Sequence, residues 1–143
     1  MAFPAPEVGL VVSFAYLWSH EQRRGSTEGA RNRPCVIVTA VEEVDGQTVV
    51  TVSPITHSQP EDASFGIEIP PRVKSHLGLD GEKSWVILTE VNRFTWPGYD
   101  LRPITTGDSR VDYGFLPPAL FDQIKAGILT MIRSGKRTTT SRD

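Results

Sequence analysis

Apolar residues along the chain gather in short, dense runs separated by polar turns, and only near the C-terminus does the spacing lengthen to a helical period. Residues 9–18, Gly-Leu-Val-Val-Ser-Phe-Ala-Tyr-Leu-Trp, are too rich in β-branched and aromatic types for an exposed loop and predict the first strand. From Ser19 to Asn32, glycine, serine and charge mix without apolar periodicity, which predicts a long functional or mobile loop. Strands are predicted from Pro34 to Val41 and from Thr48 to Pro54. Asp45-Gly46 between them tolerates positive φ and marks a hairpin. Gly66 to Pro70 alternates apolar and polar and reads as a short half-buried strand, followed by one helical turn over residues 71–77. Asp80-Gly81 is a turn before Ser84 to Val91, the strongest buried strand in the chain. Trp96 to Asp100 is turn chemistry, with a weak strand expected around Arg102 to Thr105.

From Pro117 onward, Leu120, Phe121, Ile124, Ile128, Met131 and Ile132 fall on one face at helical spacing, bounded by Pro117-Pro118 and Ser134-Gly135. That stripe predicts a core-facing helix. Residues 136–143 are Thr-rich and polar and are expected to form a disordered tail. The elements together predict a mainly β fold with a C-terminal helix, a small barrel with a helical cap, as one domain over residues 1–135.

Composition narrows the class. With 143 residues, 38% hydrophobic and 22% charged, the chain is an ordinary globular protein, and its apolar runs are too short to cross a bilayer. The N-terminus lacks a basic stretch followed by an apolar one, so no secretory signal is read and a cytoplasmic location is expected. Cys35 has no second cysteine to pair with and sits in the run Pro-Cys-Val-Ile-Val as a small hydrophobe. A net charge of −2 argues against gripping duplex nucleic acid through the whole surface. Locally, Arg23, Arg24, Arg31 and Arg33 crowd one segment against Glu21 and Glu28, which leaves room for a small phosphate site.

Three stretches carry candidate chemistry. His20-Glu21-Gln22 follows the first strand, Arg33-Pro34 opens the second, and the third ends in Ser53-Pro54-Ile55-Thr56-His57-Ser58. No His/Cys cluster has metal-ligand spacing and no glycine-rich phosphate loop precedes a helix, so neither metal nor cofactor is expected. His76 is read as a surface residue without a role. The tryptophans are read as core or interface anchors, with Trp18, beside the loop, able to serve as a base-stacking platform.

The first of these stretches, from His20-Glu21-Gln22 to Arg33-Pro34-Cys35-Val36-Ile37-Val38, resembles the first signature of the MazF/PemK/Kid toxins. Pro54-Ile55-Thr56 resembles their second, and Ser84 to Arg93 their third. The resemblance runs in order from Gly9 to about Ile132. It implies an SH3-like barrel of the MazF/PemK/CcdB type, a homodimer, and a type II toxin that cleaves single-stranded RNA and is neutralised by a separate antitoxin protein. Carried over, Arg33 and Thr56 match the catalytic arginine and threonine, and His20 and Glu90 match auxiliary polar positions. Gln22, His57, Ser58, Asn92 and Arg93, in or beside the same stretches, are the expected substrate contacts. The loop from Arg23 to Asn32 is longer than in compact members, and Glu90-Val91-Asn92 stands where many carry Gln-x-Arg.

The chemistry can be argued from the residues as well. Metal-free RNA cleavage needs in-line attack by the 2′-OH, a base for its proton, an acid for the leaving oxygen, and cations for the charge building on the phosphoryl oxygens. Arg33 offers the planar fork that suits phosphate, and Thr56 offers a hydroxyl donor. His20, His57 and Glu90 all remain candidates for the proton. Two rival functions use the same fold. One is a gyrase-inhibiting toxin of the CcdB kind, disfavoured because the chain ends in polar Thr138 to Asp143. The other is a non-catalytic protein-binding module.

Overall fold

The computed structural model describes residues 3–27, 29 and 31–143. Met1-Ala2 of the N-terminal reading, and Glu28 and Ala30 of the long loop, lie outside the described residues. The strands are β1 (Leu10–Phe14), β2 (Arg33–Glu42), β3 (Thr48–Thr56), β4 (Gly66–Glu68), β5 (Trp85–Ile87), β6 (Glu90–Thr95), β7 (Asp112–Phe115) and β8 (Thr138–Ser141). The helices are α1 (Ser19–Arg23), α2 (Pro71–Leu77) and α3 (Pro118–Arg133). No helix among the described residues is long and apolar enough to cross a membrane.

The fold is mainly β with a C-terminal helix, as the apolar pattern predicts. The strands form an eight-stranded sheet with a spine of β4-β5-β3-β2-β1-β7, and β6 branches from β3 and carries β8 on its other edge. The pairings do not close into a ring among the described residues. β3 shares one edge between two neighbours, pairing Val49 to Val52 with β6 and Ile55-Thr56 with β5, so the strand serves both halves of a bent sheet.

Both faces of that sheet are covered, which is why β1 and β2 read as continuous apolar runs rather than alternating ones. Val11, Val36, Val38 and Val91 pack with Ile124, Ile128 and Met131 of α3 on one side. Val12, Phe14, Cys35, Ile37, Val52 and Phe94 form a second cluster on the other. Phe14 and Phe94 meet with ring centroids 4.7 Å apart. Each such fully buried aliphatic or aromatic side chain contributes about 1.5–3 kcal/mol relative to exposure.

The structure corrects the sequence reading at five places. The first strand stops at Phe14, because the chain turns out of the ladder: the Ala15 amide donates to the Asp100 carbonyl, and the Leu17 and Ser19 amides to the side chains of Asn92 and Glu90. The polar loop opens with α1, whose Glu21 carboxylate reaches back to accept from the Trp18 amide at 3.0 Å. Ser84 to Val91 breaks between Ile87 and Glu90 into β5 and β6. Arg102 to Thr105 forms no strand; the pairing expected there is supplied by β7 on β1, with Leu101 making a single bridge to Phe14. Finally, residues 138–141, expected to be disordered, form β8, parallel to β6.

Candidate active site

The β2–β3 hairpin sets the site. Its register pairs Cys35 with Pro54 and Val36 with Ser53, and continuing that register places Arg33 opposite Thr56, the last residue of β3. Sequence reasoning placed both at strand ends, and the structure puts them in the wall of one cleft of about 860 Å³. His20, Ser58 and Glu90 line the same cleft, with Trp18, Arg23 and Arg31. A smaller cleft of about 340 Å³ lies on the far side of Arg33 and Thr56, lined by His57, Lys74, Asp80 and Tyr113.

Arg33 is half-buried, with its guanidinium 5.0 Å from the centroid of the Trp18 ring. Burial pulls its pKa down from the ordinary value, and the like charge of Arg31 adds to the effect. Its Nη1 donates weakly to the Ile55 carbonyl at 3.5 Å, while its Nε is buried without a partner among the described residues. No carboxylate among the described residues forms an ion pair with it. The cation is therefore under-compensated, as a waiting anion site would be. Thr56 Oγ1 accepts from the Ser58 amide at 3.1 Å, which leaves its own proton free to donate into the cleft.

Three groups were open as proton carriers, and their surroundings now differ. Glu90 accepts on Oε1 from Tyr16 Oη at 3.1 Å and from the Ser19 amide at 3.1 Å, and on Oε2 from Ser19 Oγ at 3.4 Å. Burial, reinforced by Glu90, pushes the Tyr16 phenol well above its usual pKa, so it stays protonated and donates. Glu90 thus builds the cleft wall. His57 faces the smaller cleft, where Nε2 lies 2.8 Å from Asp80 and Nδ1 lies 3.8 Å from Glu82. The exposed His20 lies over Trp18 with ring centroids 6.4 Å apart, and neither of its nitrogens has a hydrogen-bond partner among the described residues.

The expected substrate contacts divide. Ser58 borders the large cleft and His57 the small one. Gln22 opens instead onto a separate depression with Arg142. Asn92 is fully buried: its Oδ1 accepts from the Leu17 amide at 2.9 Å and its Nδ2 donates to the Leu17 carbonyl at 2.8 Å. Both ends of its side-chain amide are thus committed to the Leu17 backbone, and it lines neither cleft. Arg93 is exposed on β6 and lines neither cleft.

His57, Asp80 and Glu82 bring ligand atoms within 4.8 Å of one another, a triad the sequence spacing does not reveal. Its cation is already supplied by Lys74, whose ammonium donates to Asp80 at 2.8 Å, to Ser84 Oγ at 2.6 Å and to the Glu82 carbonyl. Cys35 is fully buried, and desolvation raises its thiol pKa far out of the reactive range, so it has no part in the site.

With this geometry in place, comparison with known protein families is decisive. The family model for the PemK-like, MazF-like toxins of type II toxin–antitoxin systems matches residues 15–132. The chain belongs to that family. No curated protein matches it closely. Membership implies an antitoxin partner for this PemK-like chain. The match ends at Ile132, before β8 begins.

Proposed function

We propose that this PemK-like toxin is a metal-independent endoribonuclease of the cytoplasm that cleaves single-stranded RNA by attack of the 2′-OH on its own phosphate, and that it works as a homodimer. The observation that carries the reading is Arg33: a half-buried guanidinium without an ion-pair partner among the described residues, beside a free threonine proton in an open cleft. A phosphoryl group bound there receives the guanidinium fork and the Thr56 hydroxyl on its non-bridging oxygens, where negative charge builds in the transition state. His20, whose imidazole faces the cleft with neither nitrogen hydrogen-bonded among the described residues, takes the 2′-OH proton as the O2′–P bond forms and the P–O5′ bond breaks, and the departing 5′ oxygen takes its proton from solvent in the open cleft. Glu90 keeps the wall in shape through Tyr16 and Ser19. Ser58 supports Thr56 through its amide.

Arg33→Ala and Thr56→Ala should each lower RNA cleavage about 10²- to 10³-fold, roughly 3–4 kcal/mol of transition-state stabilisation, without unfolding the protein. Arg33→Lys should recover little, because a point charge cannot copy the planar fork. His76→Ala, on α2 and outside both clefts that Arg33 lines, should match wild type. The product should carry a cyclic phosphate, a 2′-deoxy nucleotide at the cut site should block the reaction, and EDTA should not. Wild-type rates in Arg33→Ala, or cutting of the deoxy substrate, would sink the assignment.

A further inference from the structure

Directly after the C-terminal strand stands an arginine that the reaction does not use and that the family match does not reach. β8 runs parallel to β6, with Asn92 beside Thr140 and Arg93 beside Ser141. The Arg142 amide then donates to the Arg93 carbonyl at 2.9 Å, and the side chain turns inward to 3% exposure. Its Nη1 donates to the Ala15 carbonyl at 2.7 Å and approaches Asn92 Oδ1 at 3.5 Å. Its Nη2 donates to Asp100 Oδ1 at 2.8 Å and to the Thr27 carbonyl at 3.2 Å. The guanidinium carbon lies 5.9 Å from the Phe14 ring centroid.

Ala15 and Thr27 are the two stems of the segment that carries Tyr16, Trp18, Ser19, His20 and Arg23 into the cleft. One planar cation therefore ties both stems together and to the Asp100 turn. The segment is gripped from the same side at two further points, where Asn92 holds the Leu17 backbone and Glu90 holds the Ser19 amide. Gly29 then returns against the stem so closely that a Cβ there would clash with the Tyr16 carbonyl. A buried guanidinium is costly unless its donors are matched, so these contacts form as a set or not at all.

We propose that β8 is a strap and Arg142 a positioning residue, which together hold the wall segment 15–27 in the shape that sets Trp18 and His20 against Arg33. The catalytic consequence rests on the ribonuclease reading; the structural one does not. The test uses full-length Arg142→Ala, Arg142→Lys and Asp100→Asn. The reporters are the amides of Ala15, Leu17 and Ser19, each of which has an acceptor beyond its own segment. In Arg142→Ala these should exchange with deuterium at least tenfold faster, while buried amides of β2 and β3 keep wild-type protection. On RNA, kcat should fall at least tenfold with a smaller change in KM, and Arg142→Lys should not restore it. Asp100→Asn should give the same pattern more weakly, and it keeps the test readable if the alanine variant fails to fold. Unchanged exchange at the three amides, or a uniform rise that includes β2 and β3, overturns the strap. Faster exchange with wild-type kcat retained overturns the positioning role. A wild-type protein that cuts no RNA, while Arg142→Ala shows the exchange pattern, refutes the ribonuclease reading and leaves the strap standing.

Discussion

Lys74 shows how one buried charge decides the role of its neighbours. Its ammonium is almost fully enclosed, and Asp80, half exposed, is its counterion. The hydrogen bond from Lys74 holds the Asp80 carboxyl below its usual pKa, with a smaller contribution from the Glu82 amide and from His57. A depressed folded pKa means stabilisation that is present above the unfolded value of about 3.9 and is lost as the pH falls through the folded value. Asp80→Asn should therefore lower Tm at neutral pH, and its gap from wild type should close as the pH drops below about 4. Thermal melts across that range check this, and a gap that stays constant would remove Asp80 as the acid-sensitive partner. At the same scale, the sequence singled out Arg33 and Thr56 through the family resemblance, and the hairpin with its clear turn explains why the two strand ends share one cleft. Arg142 was not, since nothing local marks a tail arginine as buried, and neither was the burial of Asn92, whose partner is the backbone of Leu17, far away in sequence.

Among the elements, those with strong local signals were legible: the hairpin, α2 over residues 71–77 and the helix after Pro117. β7 and β8 were not, because their strand character comes from the partner they meet: β7 completes the edge of β1, and the polar β8 needs the edge of β6. α3 packs close to the sheet through Gly127, where a Cβ would lie 2.6 Å from Leu88 Cδ1. In an isolated helix Gly→Ala gains about 0.5–1 kcal/mol, whereas forcing a buried leucine aside costs about 1–3 kcal/mol. The second effect should win, so Gly127→Ala is expected to lower stability in urea melts despite its better helix propensity. A stabilised variant would show that Leu88 moves freely and that α3 is less tightly seated than its geometry implies.

On the scale of the whole molecule, charge does little to attract RNA. The net charge is −2, and in the cleft Arg23, Arg31 and Arg33 are offset by Glu21, Glu61 and Glu90. On the proposed ribonuclease reading, a single copy would grip a phosphate or two, with no basic track lining the cleft among the described residues along which a longer strand could lie. Two copies side by side would double the contacts, and the surface carries apolar groups suited to such an interface. Val8 and Phe115 are each about half exposed, at 48% and 47%, and they flank Gly9, whose Cβ position faces Phe115 and Phe121 at 4.0 and 3.8 Å. Single exposed apolar residues are ordinary, but neighbouring ones form a patch that a partner can cover. Light scattering at micromolar concentration should give twice the 15.8 kDa mass of one chain. Raising the salt should leave that mass unchanged, because apolar contact is not screened. A 15.8 kDa species under both conditions would refute the dimer. Dissociation by salt alone would show that charge, not the Val8–Phe115 surface, holds the copies together.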